Sequence, residues 1–222
     1  MIAGVRLKVC GLTSIVDAEA ADRCGADYIG FILYPHSPRF VPLAQYRAMA
    51  SRLPARRRVA VSVEPSGEQL SAMAGAGFDF FQIHFAAGID PARLEEWARV
   101  AGPERLWLAP KLPPEADVPA MVLASAQTVL MDTFHASGFG GSGVAGDWAK
   151  FARHRVAFPQ HTWILAGGLN ESNIGDAVGA SGARTVDVNS GVESSPGVKD
   201  EARLRRFAEA IRAAVGSGRS GS

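Results

Sequence analysis

Short apolar runs alternate with longer segments of helical period along almost the whole chain. The runs at Val5–Cys10, Tyr28–Leu33, Arg58–Val63, Asp79–His84, Arg105–Lys111, Thr128–Asp132, Thr162–Ala166 and Thr185–Asn189 have strand length and β-branched or aromatic content. Helical spacing is clearest over Ser14–Arg23, Leu43–Leu53, Gly67–Ala74, Pro91–Val100, Asn170–Val178 and Lys199–Val215. Glu115–Ala126 is a further helix, crowded by prolines at its start. Eight strands alternating with eight helices predict parallel pairing through right-handed crossovers. A single α/β domain follows, either a closed (β/α)8 TIM barrel or an open doubly wound sheet. Eight near-regular units in so short a chain favour the barrel.

Successive strand side chains point to opposite faces, so each run can be divided into an outer and an inner row. In the first strand Val5, Leu7 and Val9 belong under the helices, which turns Lys8 and Cys10 inward. The same division pairs Leu130 with Asp132, Gln82 with His84, and Asp187 with Asn189. Polar residues thus collect at the last inward positions of several strands, the end at which barrel enzymes carry their chemistry.

The 222 residues and 47% hydrophobic content suffice for a large core. Residues 1–215 are expected to form the barrel domain. The tail Gly-Ser-Gly-Arg-Ser-Gly-Ser at 216–222 reads as a disordered or artificially added end. A formal net charge of +1 gives no nucleic-acid footprint and no polybasic membrane patch. The densest basic cluster, Arg56 to Arg58, reads as a solvated strand start. Two cysteines, an N-terminus without a signal-peptide core and no long apolar span together predict a cytoplasmic protein.

Six features carry candidate chemistry. Cys10 ends a strand before Gly11, with Lys8 on the same face. It reads either as a proton acceptor whose pKa a nearby cation lowers, or as a buried structural cysteine. Asp132 also ends a strand, and as a general acid, a ribose ligand or a helix cap it is equally well placed. The loop Ser137-Gly-Phe-Gly-Gly-Ser-Gly143 is an anion-binding or substrate-covering segment or a plain linker. Ala166-Gly-Gly-Leu-Asn170, opening into a helix, and Asn189-Ser-Gly-Val192 follow the seventh and eighth strands, where barrels bind phosphate. Arg39, in the Pro-rich loop after the second strand, suits a substrate carboxylate or is a surface arginine. His84 contacts substrate or is a satisfied inward histidine. No His, Cys or Asp spacing points to a metal, and no cofactor is expected.

Taken together these segments resemble the phosphoribosylanthranilate isomerases, from about Leu7 to Val215. The resemblance rests on Lys-Val-Cys-Gly-Leu-Thr at 8–13, Gly-Phe-Ile-Leu-Tyr-Pro-His-Ser-Pro-Arg at 30–39 and Gln-Ile-His at 82–84. It continues through Phe-Gly-Gly-Ser-Gly at 139–143 with Asp147-Trp148, Ala-Gly-Gly-Leu-Asn at 166–170 and Val-Asp-Val-Asn-Ser-Gly-Val-Glu at 186–193. It implies an acid–base Amadori rearrangement in tryptophan biosynthesis, with Cys10 as general base and Asp132 as general acid. Arg39 then holds the anthranilate carboxylate, and Gly167, Gly168, Ser190 and Gly191 the phosphate. His84, Gly141, Gly143 and Asp187 contribute to substrate binding. The partner is a small phosphosugar, with the chain a monomer or homodimer. Three departures stand out: Phe85 where Gly is usual, expected to narrow the pocket; Asn189 where Ser is usual; and Ala109-Pro-Lys111 in strand five. The competing readings are a non-catalytic phosphometabolite-binding barrel and an isomerase for a different phosphosugar.

Overall fold

The computed structural model describes residues 1–132 and 147–217. Eight parallel strands close in chain order into a barrel. They are β1 (Arg6–Val9), β2 (Tyr28–Ile32), β3 (Arg57–Val63), β4 (Phe80–Ala86), β5 (Leu106–Lys111), β6 (Thr128–Met131), β7 (Thr162–Leu165) and β8 (Thr185–Val188). Closure runs through β1 and β8, in register from Arg6 opposite Thr185 to Val9 opposite Val188. The open sheet is thereby excluded.

The helices are α1 (Ile15–Cys24), α2 (Leu43–Met49), α3 (Gly67–Ala74), α4 (Pro91–Ala101), α5 (Ala120–Ser125), α6 (Trp148–Ala157), α7 (Ile174–Ser181) and α8 (Glu201–Ser217). Their starts are chemically marked. The Ser14 hydroxyl accepts from Asp17 N, Ser66 and Gln69 form a reciprocal capping box, and Asp90 precedes Pro91 at the first helical position. No helix among the described residues is long and apolar enough to cross a membrane.

Three elements differ from expectation, each for a local reason. α5 is only six residues long, because Pro119 sits at its N-cap and the prolines before it cannot join a helix. α7 begins at Ile174 rather than Asn170. Asn170 instead folds a turn on itself, its side-chain oxygen accepting from Ser172 N and its N–H donating to Asn173 Oδ1. Between the last barrel strand and the last helix, where no element was expected, stands a small antiparallel hairpin, β9 (Glu193–Ser195) and β10 (Val198–Lys199), turning at Pro196-Gly197, so that the helix starts at Glu201 rather than Lys199. α6, for which no range was read from the sequence, fills the place between β6 and β7.

The two faces of each strand separate as their alternation requires. Val5, Leu7, Val9, Ile29 and Phe31 pack outward in the large core beneath the helices. Cys10, Val59, Val61, Leu130, Ile164 and Ala166 fill the barrel interior. At the N-terminal end of the barrel Phe80 stacks on Trp107 and Tyr28 meets both rings edge-on, with centroids 4.9–5.8 Å apart. Above this apolar floor the inward residues become polar: Lys8, Gln82 and Asp187 are all buried.

Candidate active site

A pocket of about 830 Å3, counted out to its open mouth, lies at the C-terminal end of the strands. Cys10, Arg39, His84, Asp132, Gly167, Gly168, Asp187 and Ser190 all line it. Of the remaining sequence-predicted positions, Gly191 packs against Leu169, which lines the pocket. Gly141 and Gly143 lie outside the described residues.

Cys10 is carried by β1, its N–H continuing the ladder to the Val188 carbonyl at 2.9 Å. The chain then turns sharply at Gly11, where φ is +70°. A Cβ there would stand 2.5 Å from Asn189 Oδ1 and 2.7 Å from Arg39 Cδ, so the site closes only around a glycine. Beneath Cys10 is the Lys8 ammonium, fully buried and paired with Asp187 Oδ2 at 2.7 Å. The pair follows from register, since Lys8 and Asp187 face each other across the β1–β8 ladder. Two buried acceptors at this level, Asp187 Oδ1 and Gln82 Oε1, have no hydrogen-bond partner among the described residues. Gln82 Nε2 lies 2.8 Å from His84 Nε2.

The electrostatics correct one expectation. A lowered Cys10 pKa is expected from Lys8 alone. Burial instead pushes the thiol above its ordinary value, and Lys8 pulls against that rise without overcoming it. Burial also pulls Lys8 down, but Asp187 and Cys10 hold its ammonium above the usual lysine value. His84 is pushed down to about 4, first by burial and then by the charge of Lys8, so its imidazole is neutral at pH 7.

Arg39 is not a free surface arginine. Its Nε and Nη2 donate to the Glu193 carboxylate at 2.9 and 2.6 Å. Glu193 in turn accepts from Lys199 Nζ at 2.8 Å, and Lys199 also donates to Asn189 Oδ1 at 3.0 Å. Burial alone would raise Glu193, but the two cations hold its carboxyl below the usual carboxylate range. The β9–β10 hairpin therefore braces the Arg39 loop. Sequence reading missed both Glu193 and Lys199 in this role. The available signal was the Pro196-Gly197 turn by itself, since Glu-Ser-Ser and Val-Lys carry little strand pattern of their own.

The glycine loops after β7 and β8 meet at one wall. Gly167 and Gly168 both have positive φ, +89° and +62°. Asn173 Nδ2 holds the Gly168 carbonyl away from the pocket at 2.9 Å. A side chain at Gly191 would overlap the Leu169 carbonyl oxygen, so the two loops can pack only through a glycine. Among the described residues, the backbone N–H groups of Gly167, Gly168, Ser190 and Gly191 have no hydrogen-bond partner. Such a set of convergent donors suits an anion. The helix N-terminus expected to join them lies farther along, at Ile174.

A family profile described as N-(5'phosphoribosyl)anthranilate (PRA) isomerase matches residues 7–210. The chain belongs to this isomerase family. An N-(5'-phosphoribosyl)anthranilate isomerase from Cereibacter sphaeroides is 40% identical over 220 residues, covering 95% of this chain and all of the relative. The crystal structure of the phosphoribosyl anthranilate isomerase from Thermus thermophilus superposes with a TM-score of 0.77 at 29% identity, covering 94% of this chain and 99% of that one. A third isomerase was solved in complex with reduced 1-(o-carboxyphenylamino)-1-deoxyribulose 5-phosphate; it has a TM-score of 0.71 at 26% identity, covering 94% and 99% of the two chains.

Within the isomerase family the three departures can now be placed. Phe85 does not narrow the pocket. It alternates with His84, faces outward, and packs at 1% exposure against Trp97 with centroids 5.7 Å apart. Asn189 lines the pocket and receives the Lys199 hydrogen bond. Pro110 lies two residues beyond the last β5–β6 pair, Leu108 opposite Val129, where a missing N–H leaves that ladder intact.

Proposed function

We propose that this isomerase converts N-(5-phosphoribosyl)anthranilate to 1-(2-carboxyphenylamino)-1-deoxyribulose 5-phosphate, with Asp132 as general acid and Cys10 as general base. One observation carries the assignment of roles: a strand-end carboxyl and a strand-end thiol share a single pocket, with a braced guanidinium and a wall of N–H groups that have no partner among the described residues.

In this reading the N–H groups of Gly167, Gly168, Ser190 and Gly191 take the phosphate, and Arg39 takes the anthranilate carboxylate. Asp132 donates its proton to the furanose ring oxygen as the C1–O bond breaks, leaving an iminium at C1. The Cys10 thiolate removes the proton from C2, and the C2–H electrons neutralise the iminium to give an enolamine. Tautomerisation of the enol yields the ketone. The two anchors hold the reacting carbon at the thiol, a contribution worth several orders of magnitude in rate. Asp187 Oδ1 and Gln82 Oε1, acceptors without a partner among the described residues, suit ribose hydroxyl donors. His84 is a neutral substrate contact. The reading includes a cytoplasmic location and either a monomeric or a homodimeric state.

Turnover tests it. Loss of substrate fluorescence on adding the purified chain, with the ribulose product recovered, is the expected result. A folded chain that binds the reduced product analogue without turnover would instead be a phosphometabolite-binding barrel.

A further inference from the structure

We propose that Lys8 is a positioning residue for the proton-abstraction step, its buried ammonium clamped by Asp187 to serve as the counter-ion of a Cys10 thiolate. The inference rests on the reading of Cys10 as the base, and adds the group that makes a thiolate tolerable there.

The observations are geometric. Lys8 is 0% exposed at the centre of the barrel, where a lone ammonium is strongly disfavoured unless paired. Its partner Asp187 lies directly across the β1–β8 register, and the pair fixes the lysine's reach. Gly30 of β2 supplies the space. A Cβ built on Gly30 would stand 3.0 Å from Lys8 Cε, 3.2 Å from Lys8 Nζ and 3.2 Å from Cys10 Sγ. One missing methyl group therefore makes room for ammonium and sulfur side by side. Nothing in the outer packing needs a buried lysine at this position, and an apolar residue would fill the barrel without the cost of burying a charge.

Other groups reach Cys10 from neighbouring elements. Arg39 approaches from the loop after β2, Lys199 from β10 and Asp187 from β8, while Asp132 lines the same pocket from β6. Burial is the largest influence on the thiol and raises its pKa. Lys8 is the largest influence in the other direction, ahead of the opposing charge of Asp187 and the smaller pull of Lys199. Removing Lys8 and Asp187 together therefore leaves the thiolate less stable than before.

The test reads Cys10 directly, without turnover. In a Cys24→Ser background, the rate of iodoacetamide alkylation is followed across pH for the parent and for Lys8→Met/Asp187→Asn, which removes both charges and keeps the volume. The expected result is an upward move of the alkylation midpoint by roughly one pH unit or more, equal to about tenfold slower reaction at a fixed pH below it. The acid limb of kcat/KM moves by the same amount. Gly30→Ala keeps every charge and should move the midpoint the same way by crowding the pair, which preserves the test if the double variant does not fold. A midpoint that stays in place or falls in whichever variant folds would overturn the proposal. Because alkylation needs no substrate, that outcome is distinct from failure of the isomerase reading, which shows as absent turnover in the parent.

Discussion

At the scale of single residues, two positions separate pocket from packing. Gly191 touches the Leu169 backbone where the phosphate-side loops meet. Gly191→Ala should therefore force the loops apart and raise KM roughly tenfold, the loss of about one hydrogen bond to a charged group. Steady-state kinetics on the variant reads this directly, and an unchanged KM would remove the loops from phosphate binding. Phe85 behaves in the opposite way. Phe85→Ala should cost about 3–5 kcal/mol of stability by chemical denaturation, as a buried aromatic does, and leave KM within about twofold. The inward positions of Lys8, Cys10, Asp132 and Asp187 were legible in the sequence, because strand alternation is a hard geometric rule. The outward turn of Phe85 follows from that rule as well, one residue after His84, although the residue was expected in the pocket. The raised thiol of Cys10 was not legible, since burial depends on every strand around it.

At the scale of elements, the β9–β10 hairpin is the brace of the carboxylate site. Glu193 accepts from Arg39 and Lys199 at once and is nearly fully buried, so its loss strands two cations. Glu193→Gln should lower stability by about 3 kcal/mol and raise KM more than it lowers kcat. The same KM should be unaffected for a substrate analogue lacking the anthranilate carboxylate. If both substrates suffer equally, Glu193 does not act through Arg39. The eight strands could be read from the chain because buried parallel strands form continuous apolar runs. The hairpin could not, because two and three residues carry too little pattern to stand out beside the helix that follows. The late start of α7 was hidden for a different reason: Asn170 and Asn173 divert the backbone into their own hydrogen bonds, and period alone does not reveal that competition.

At the scale of the whole molecule, barrel closure concentrates polar groups from several strands in one low-dielectric space, and this makes stability depend on pH. His84 is neutral in the folded chain down to about 4, whereas the unfolded chain binds a proton near 6.5. The unfolded state therefore takes up protons first, and stability present above pH 6.5 is lost as pH falls toward 4. The loss should be on the order of 2 kcal/mol, less than the full shift implies because the ring faces the open pocket. Urea unfolding at pH 7 and pH 4.5 should show this difference in the parent and a smaller one in His84→Asn. Turnover in this barrel depends on the acid and the base acting together in one pocket. The direct measurement is kcat for N-(5-phosphoribosyl)anthranilate, generated in situ, in the parent, Cys10→Ala and Asp132→Asn. Each variant should lose on the order of 10^3-fold in kcat, while Cys10→Ala still binds the reduced product analogue with near-parental affinity. Either variant retaining kcat within about tenfold of the parent would contradict the assignment, since no positioned acid or base contributes so little.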